Sequence, residues 1–345
     1  MNNLQNSKKD VISFQNAVII GAIILVAYII LSFSSYNDSN LRTALSDIIT
    51  PIIGIIAVLC LLYAANRSKS YGKRVYFAWI LIAFAQLLYT LGDTLWAFIE
   101  LFLHVSPFPS PADTFYLLYY IFFAIGILLL MRPLGTPEKI FKTILDITIV
   151  IISASLIFWN TLLSFVILTQ NEASLAFSLS FYYVIRDFVI FALLLNLALR
   201  TVDKWAKNPL ILLIGAVAVQ VITDTIFSYQ FLNGTYISGG LTDIGWVVSY
   251  ILIALAGILQ GNIANIKLPE TTIKLQKPRT FIIFSFPMIW ISLAVFMLVW
   301  GYYNLSPANF FIIKIKVIIF FVLLIIRRAI SVNEKWHVYL RFGKN

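Results

Sequence analysis

The sequence predicts an all-α fold: a polytopic membrane helix bundle of about ten transmembrane helices. A parallel internal four-helix repeat is followed by two C-terminal helices. Three observations predict it. Hydrophobic residues make up 61% of the 345 residues and charged residues 12%, with a mean hydropathy of +0.92. Apolar stretches of roughly 20 residues recur, the length a helix needs to cross hydrocarbon. Two stretches of the chain echo each other, and the echo keeps acidic residues inside apolar segments, where charge is costly and tends to be functional.

The spans fall at 12–34, 46–65, 75–101, 113–131, 141–168, 176–199, 209–231, 242–261, 280–303 and 308–326. They are too long and continuous for barrel strands, and lipid leaves only helices or closed barrels able to satisfy the backbone. Lys8 and Lys9 precede the first span, but its length and the lack of a small-x-small site predict an uncleaved helix. The single cysteine, Cys60, lies in span two and forms no internal disulfide.

Net charge is +10, which by itself would suit a nucleic-acid ligand. Its distribution argues otherwise. Of 25 Lys and Arg residues, 21 fall in the tails and even-numbered loops. The positive-inside rule then places both termini in the cytoplasm of a cell-membrane protein, and the excess serves topology and anionic lipid heads. The lipid bilayer is the expected partner, and nucleic acid is not.

The repeat is explicit in the residues. Leu91-Gly92-Asp93-Thr94-Leu95-Trp96 is echoed by Ile222-Thr223-Asp224-Thr225-Ile226-Phe227. Ala112-Asp113, with Tyr116 and Tyr120, is echoed by Thr242-Asp243, with Trp246 and Tyr250. The aspartate pairs lie 131 and 130 positions apart. The copies are offset by four spans, an even number, so both point the same way across the membrane. The predicted divisions are a first repeat unit over 1–131, a second over 132–262, two further helices over 263–328, and a cytoplasmic tail over 329–345. Each key helix leads into a turn-rich loop. Pro107, Pro109 and Pro111 stiffen the first, while Asn233, Gly234, Gly239 and Gly240 make the second flexible. Both loops deliver the chain to an aspartate, Asp113 or Asp243, expected to cap the free N–H groups of the next helix.

Candidate site residues follow. Gln86, Thr90, Asp93 and Glu100 share one face of span three, and Gln220, Thr223, Asp224 and Ser228 one face of span seven. Arg186-Asp187 in span six and Lys314 and Lys316 in span ten sit at comparable depth. Mutual pairing of these charges explains them as well as ligand binding does. The two lysines could also snorkel outward, and capping alone accounts for Asp113 and Asp243. Trp96, Tyr116, Tyr120, Trp246 and Tyr250 suit an interfacial aromatic belt. Trp96, Tyr116 and Trp246 are the ones chosen as pocket candidates. The ligand-binding set is therefore Asp93, Asp224, Arg186, Asp187, Asp113, Asp243, Trp96, Tyr116, Trp246 and Lys314. Enzymatic signatures are missing. Only His104 and His337 are present, which speaks against a bis-histidine haem or histidine-rich metal centre, and no Walker loop, G-x-S-x-G or H-E-x-x-H occurs. No cofactor and no enzymatic activity are expected.

The stretch Gly92-Asp93-Thr94-Leu95-Trp96-Ala97-Phe98-Ile99-Glu100, with Pro107-Phe108-Pro109-Ser110-Pro111-Ala112-Asp113-Thr114-Phe115-Tyr116, resembles the multi-pass N-terminal region of prokaryotic signalling proteins. Those proteins attach it to diguanylate cyclase, phosphodiesterase, PAS or histidine kinase modules. Leu232-Asn233-Gly234-Thr235-Tyr236 and Thr242-Asp243-Ile244-Gly245-Trp246 resemble the matching part, so the likeness spans roughly 40–330. No effector sequence follows Arg327-Arg328, and Val332-Asn333-Glu334-Lys335 resembles the start of a signalling linker helix. The resemblance implies a sensor domain that binds a small or amphipathic ligand in a polar pocket and relays it to a cytoplasmic or membrane signalling partner. A secondary transporter of a small solute, or an assembly subunit of a membrane complex, is the competing expectation.

Overall fold

The computed structural model describes residues 11–130, much of 141–156, 175–199, 204–265 and 280–342. The N-terminal lysines, most of span five and the basic loops around 131–140, 200–203 and 266–279 lie outside the described residues. The described residues are all-helical. Their helices are α1 (Phe14–Ser34), α2 (Ser39–Arg67), α3 (Lys73–Phe102), α4 (Ala112–Leu130), α5 (Leu175–Leu199), α6 (Lys204–Leu232), α7 (Leu241–Asn265), α8 (Thr280–Asn304) and α9 (Pro307–Phe342). Further helical residues lie between 141 and 156. Seven helical stretches among the described residues are long and apolar enough to cross a membrane, which marks the chain as membrane-embedded.

Local signals explain where helices begin. The Ser13 hydroxyl caps α1 by accepting from Asn16 N–H at 3.2 Å, and Asp38 caps α2 by accepting from Leu41 N–H at 3.0 Å. That cap starts the second helix at residue 39 rather than near 46. Two extra turns follow, and they carry Asp47 from the predicted rim into the helix. Pro51 sits one turn further on and has no N–H to give the Asp47 carbonyl.

The chain divides into two compact units, residues 1–132 with 174–277, and residues 133–173 with 278–345. In the first, α2 packs on α3, α3 on α4, α4 on α5, α5 on α6, α6 on α7, and α7 back on α2. Six helices thus close a ring, with α1 lying outside against α7 and α2. The ring is apolar outside and polar inside. Leu59 and Ile222 are each about 60% exposed, as lipid-facing side chains should be, whereas Gln86, Asp113, Gln220, Asp224, Asp243 and Gln260 are buried. Sequence periodicity follows that division, because only the inward stripe of each helix meets protein.

Close approach of α7 to α2 depends on glycine. A Cβ at Gly257 would stand 2.6 Å from the Cys60 carbonyl oxygen, a backbone atom with no freedom to withdraw. Gln260 Nε2 then donates to Ser68 Oγ at 3.0 Å, fastening the same pair of helices nearer their far end. In the second unit, Leu145, Ile149 and Leu156 pack against Ala294 of α8 and Ile313, Val317 and Phe320 of α9. Arg327 donates to Asp146 through Nε at 2.8 Å and Nη2 at 3.3 Å.

Substitution of Gly257 by valine is expected to destabilise the protein by about 1–3 kcal/mol through overpacking. Gly215→Ala, where the nearest atom to a new Cβ is 3.9 Å away, is expected to be neutral or stabilising by up to about 1 kcal/mol. Thermal unfolding of both variants in detergent measures the contrast, and equal losses would refute the assigned helix contact.

Candidate functional site

All six ring helices contribute to one cavity. Its wall includes Ser46, Asp47, Thr50 and Pro51 from α2, Tyr89, Asp93 and Trp96 from α3, and Asp113 and Tyr116 from α4. Tyr183 and Arg186 come from α5, Asp224 and Phe227 from α6, and Asp243 and Trp246 from α7, with Tyr236 from the preceding loop. The free volume is about 70 Å³, against roughly 10–15 Å³ needed for one water on the same measure. The space suits a few waters or one small molecule.

The repeated aspartates are held in an interchanged pattern. Asp93 accepts from Tyr116 OH of α4 at 3.0 Å and from Tyr250 OH of α7 at 2.5 Å. Asp224 accepts from Trp246 Nε1 of α7 at 2.6 Å and from Tyr120 OH of α4 at 3.3 Å. Each aspartate takes one donor three residues beyond the aspartate that begins its following helix, and another seven residues beyond the aspartate of the other copy. The Tyr250 and Tyr120 bonds reach past an intervening helix, because α3 and α7 are separated by α2, and α4 and α6 by α5. Tyr89 stacks into this group, with ring centres 4.7 Å from Tyr116 and 5.7 Å from Tyr250. Gly92 leaves the room Tyr116 needs, since a Cβ there would lie 2.6 Å from its ring.

Asp113 and Asp243 do not cap the helices they begin in the expected way. Asp113 reaches back to Ser110 N–H at 2.6 Å, while Ser110 Oγ accepts from Ala112 N–H at 3.1 Å. The two bonds form a reciprocal capping box. Tyr183 OH of α5 donates to the other oxygen of Asp113. Asp243 accepts from Gly239 N–H at 2.7 Å, Ser46 Oγ at 2.9 Å and Tyr236 OH at 3.0 Å. Gly239 adopts a φ of 75°, and a Cβ would strike Arg42 at 2.6 Å, so the loop both needs glycine's backbone and its missing side chain. Arg42 secures this loop by donating to Ser238 O at 3.3 Å and Tyr36 O at 3.0 Å.

Arg186 lies with its guanidinium carbon 3.7 Å from the Tyr183 ring centre and 3.8 Å from that of Tyr120. It meets Asp187 at 3.8 Å, the outer limit of an ion pair. Its Nε and Nη1 are buried and donate no hydrogen bond. On α2, the buried Asp47 Oδ2 accepts none. The Asp47 carboxyl instead shares a hydrogen bond with the Glu100 carboxyl.

The candidates therefore divide. Asp93, Asp224, Arg186, Asp113, Asp243, Trp96, Tyr116 and Trp246 all line the cavity. Asp187 stands beside it, 1% exposed, as the neighbour of Arg186. Lys314 is not brought there. It belongs to the second unit, is exposed, and lies over the rings of Phe310 and Phe311 at 4.9 and 5.7 Å. The belt reading fails for Tyr116, Tyr120 and Tyr250, which are buried at 8%, 6% and 1% and bonded to carboxylates. Sequence reasoning missed Asp47, Ser46, Tyr89, Tyr183 and Tyr236. Among the described residues no group of three or more His, Cys, Asp or Glu side chains is placed to hold a metal ion. Comparison with known protein families, curated proteins and solved structures gives no match.

Bond lengths rank the aspartate contacts. Tyr250→Phe and Trp246→Phe are each expected to cost about 1.5–3 kcal/mol, and Tyr116→Phe, whose one bond to Asp93 is longer at 3.0 Å, less than either. Unfolding of the three variants in detergent tests the ranking, which fails if Tyr116→Phe is the most damaging.

Proposed function

We propose that this chain is a cell-membrane sensor domain that binds a small ligand in the six-helix cavity and relays its presence to the cytoplasmic side. The observation that carries the reading is the convergence of all six ring helices on one small cavity whose wall holds a buried arginine, Arg186, with two nitrogens that have no protein acceptor. Charges kept only for stability would be expected to satisfy one another, since an unpaired buried polar atom costs about 1–3 kcal/mol. Such a cost is typical of sites whose partner arrives from outside.

The wider architecture in this proposal is about ten membrane spans with both termini cytoplasmic. Within the two like-oriented repeat units, α2–α4 and α5–α7 would be matching halves of the ring, related by an axis along the membrane normal. The interchanged donors to Asp93 and Asp224 support that symmetry, and so does the ring order, in which α2 stands opposite α5. On this reading α9 is the output element. It runs unbroken for 36 residues, about 54 Å at the usual rise, and its apolar window ends near Ile330. A cytoplasmic or membrane signalling partner would take the signal there, as the resemblance to effector-linked sensors implies. The ligand must favour one packing of the ring over another for any relay to occur.

The test is thermal unfolding of the full chain in lipid nanodiscs against cationic, anionic, zwitterionic and neutral metabolites. At least one class is expected to stabilise the wild type, by about 2.7 kcal/mol at a hundredfold excess over Kd. Asp93→Asn and Asp224→Asn are expected to lose that response while keeping their helical circular dichroism. Stabilisation by no class would end the sensor reading, and gradient-driven uptake of the stabilising compound into proteoliposomes would favour a carrier instead.

A further inference from the structure

Among the described wall residues the acids have hydrogen-bond partners and the one guanidinium does not. Asp93 and Asp243 accept from tyrosine hydroxyls, and Asp47 shares a hydrogen bond with Glu100. The acids around Arg186 are engaged elsewhere too. Asp113 takes Ser110 N–H and Tyr183 OH, Asp224 takes Trp246 Nε1 and Tyr120 OH, and Asp187 shares a hydrogen bond with Asp224. The ion pair of Arg186 with Asp187 is 3.8 Å long, beyond hydrogen-bond reach. Arg186 is 6% exposed, and its Nε and Nη1 have no acceptor. The rings of Tyr183 and Tyr120 lie 3.7 and 3.8 Å from its guanidinium carbon. They stabilise its charge but leave those N–H groups unmet. Tyr183 also belongs to one packed cluster with Phe227, Trp96 and Trp246. The unmet donors of the wall therefore sit beside aromatic surface.

Resting on the reading of this cavity as a ligand site, we propose that it takes a small uncharged carbonyl compound whose oxygen accepts from Arg186. Short ketones, esters and amides have this chemistry. The polar contact is made at one point of the wall, and the alkyl part of the molecule packs on the aromatic cluster beside it. An oxygen is specified because the unmet atoms are donors. Both nitrogens are enclosed, so the acceptor is a slender projecting atom rather than a tetrahedral oxyanion. A free anion is disfavoured because Asp47, Asp93, Asp113, Asp224 and Asp243 share the wall with a single guanidinium, and further buried negative charge among them is costly. A cation is disfavoured because it would stand near Arg186 and leave the same nitrogens unmet. The free volume, about 70 Å³, restricts the occupant to a few heavy atoms.

Calorimetric titration of the full chain in lipid nanodiscs tests this with acetone, acetamide, acetate and acetamidinium. The four share one planar skeleton and differ in charge: the first two are neutral, the third is an anion and the fourth a cation. The better of the two neutral compounds is expected to bind at least about tenfold more tightly than either ion. Arg186→Lys keeps a positive charge but withdraws the Nε and Nη1 donors. It is expected to weaken the neutral compound by about tenfold or more while keeping its helical circular dichroism. The order of the four compounds on the wild type needs no variant, so the test survives a misfolded Arg186→Lys. Acetate or acetamidinium binding as tightly as the better neutral compound would overturn the assignment. So would neutral binding unchanged in Arg186→Lys, or binding by none of the four, the result expected if water alone meets the nitrogens. If the neutral probes fail but another class in the wider metabolite panel stabilises the protein, this inference is lost and the pocket reading stands. If nothing binds or stabilises it, the pocket reading itself has failed.

Discussion

A carboxylate taken out of water must be met by donors or by positive charge, and this constraint organises the first unit. The protein answers it chiefly with phenol and indole groups rather than cations. Tyr116 and Tyr250 serve Asp93, Tyr120 and Trp246 serve Asp224, and Tyr183 and Tyr236 serve Asp113 and Asp243. An aromatic donor suits a membrane bundle because it spends its ring on apolar packing and its polar atom on the acid. Two of these bonds cross the ring. They tie α3 to α7 and α4 to α6 directly, beyond the register each pair inherits from the helix between them. Lipid on the outside supplies no hydrophobic force to press the helices together, so the polar interior does much of the specifying.

Small residues make that interior reachable. Gly92 admits the Tyr116 ring and Gly257 admits the α2 backbone. Gly245 stands against Thr223, whose hydroxyl would meet a new Cβ at 2.0 Å. In each case absence of a side chain on one helix permits a specific side chain or backbone on its neighbour. The loops serve the same end. The capping box at Ser110 and Asp113 and the Gly239 turn each fix a carboxyl at the start of α4 or α7.

Much of this was readable in the residues, for identifiable reasons. The helical class followed from apolar length, and the four echoed aspartates followed from cost: acids in such segments need a purpose. Arg186 was legible for the same reason, and eight of the ten chosen positions reach the cavity wall. Asp47 was not legible. With its helix read from about residue 46, it looked like a carboxyl at the water edge, and only the Asp38 cap moves it inward. Tyrosine chemistry was ambiguous, since a ring with one polar tip suits a lipid interface and a buried acid equally. Spacing from Asp113 and Asp243 was the signal that could have separated them. Lys314 was chosen by depth alone, and depth carries no information about which helices become neighbours. The ring order itself depends on non-local packing that no local pattern encodes.

Phe108 has a consequence of its own. Prolines on either side hold it in the loop after α3, and its ring is 2% exposed against Tyr183, Phe227 and Phe231 at 5.8, 5.6 and 4.7 Å. Two of those neighbours are cavity wall. Packed there, Phe108 ties the loop after α3 to α5 and α6 at once. The carboxyl of Asp113, five residues further on, is thereby anchored from the loop side as well as by its own helix.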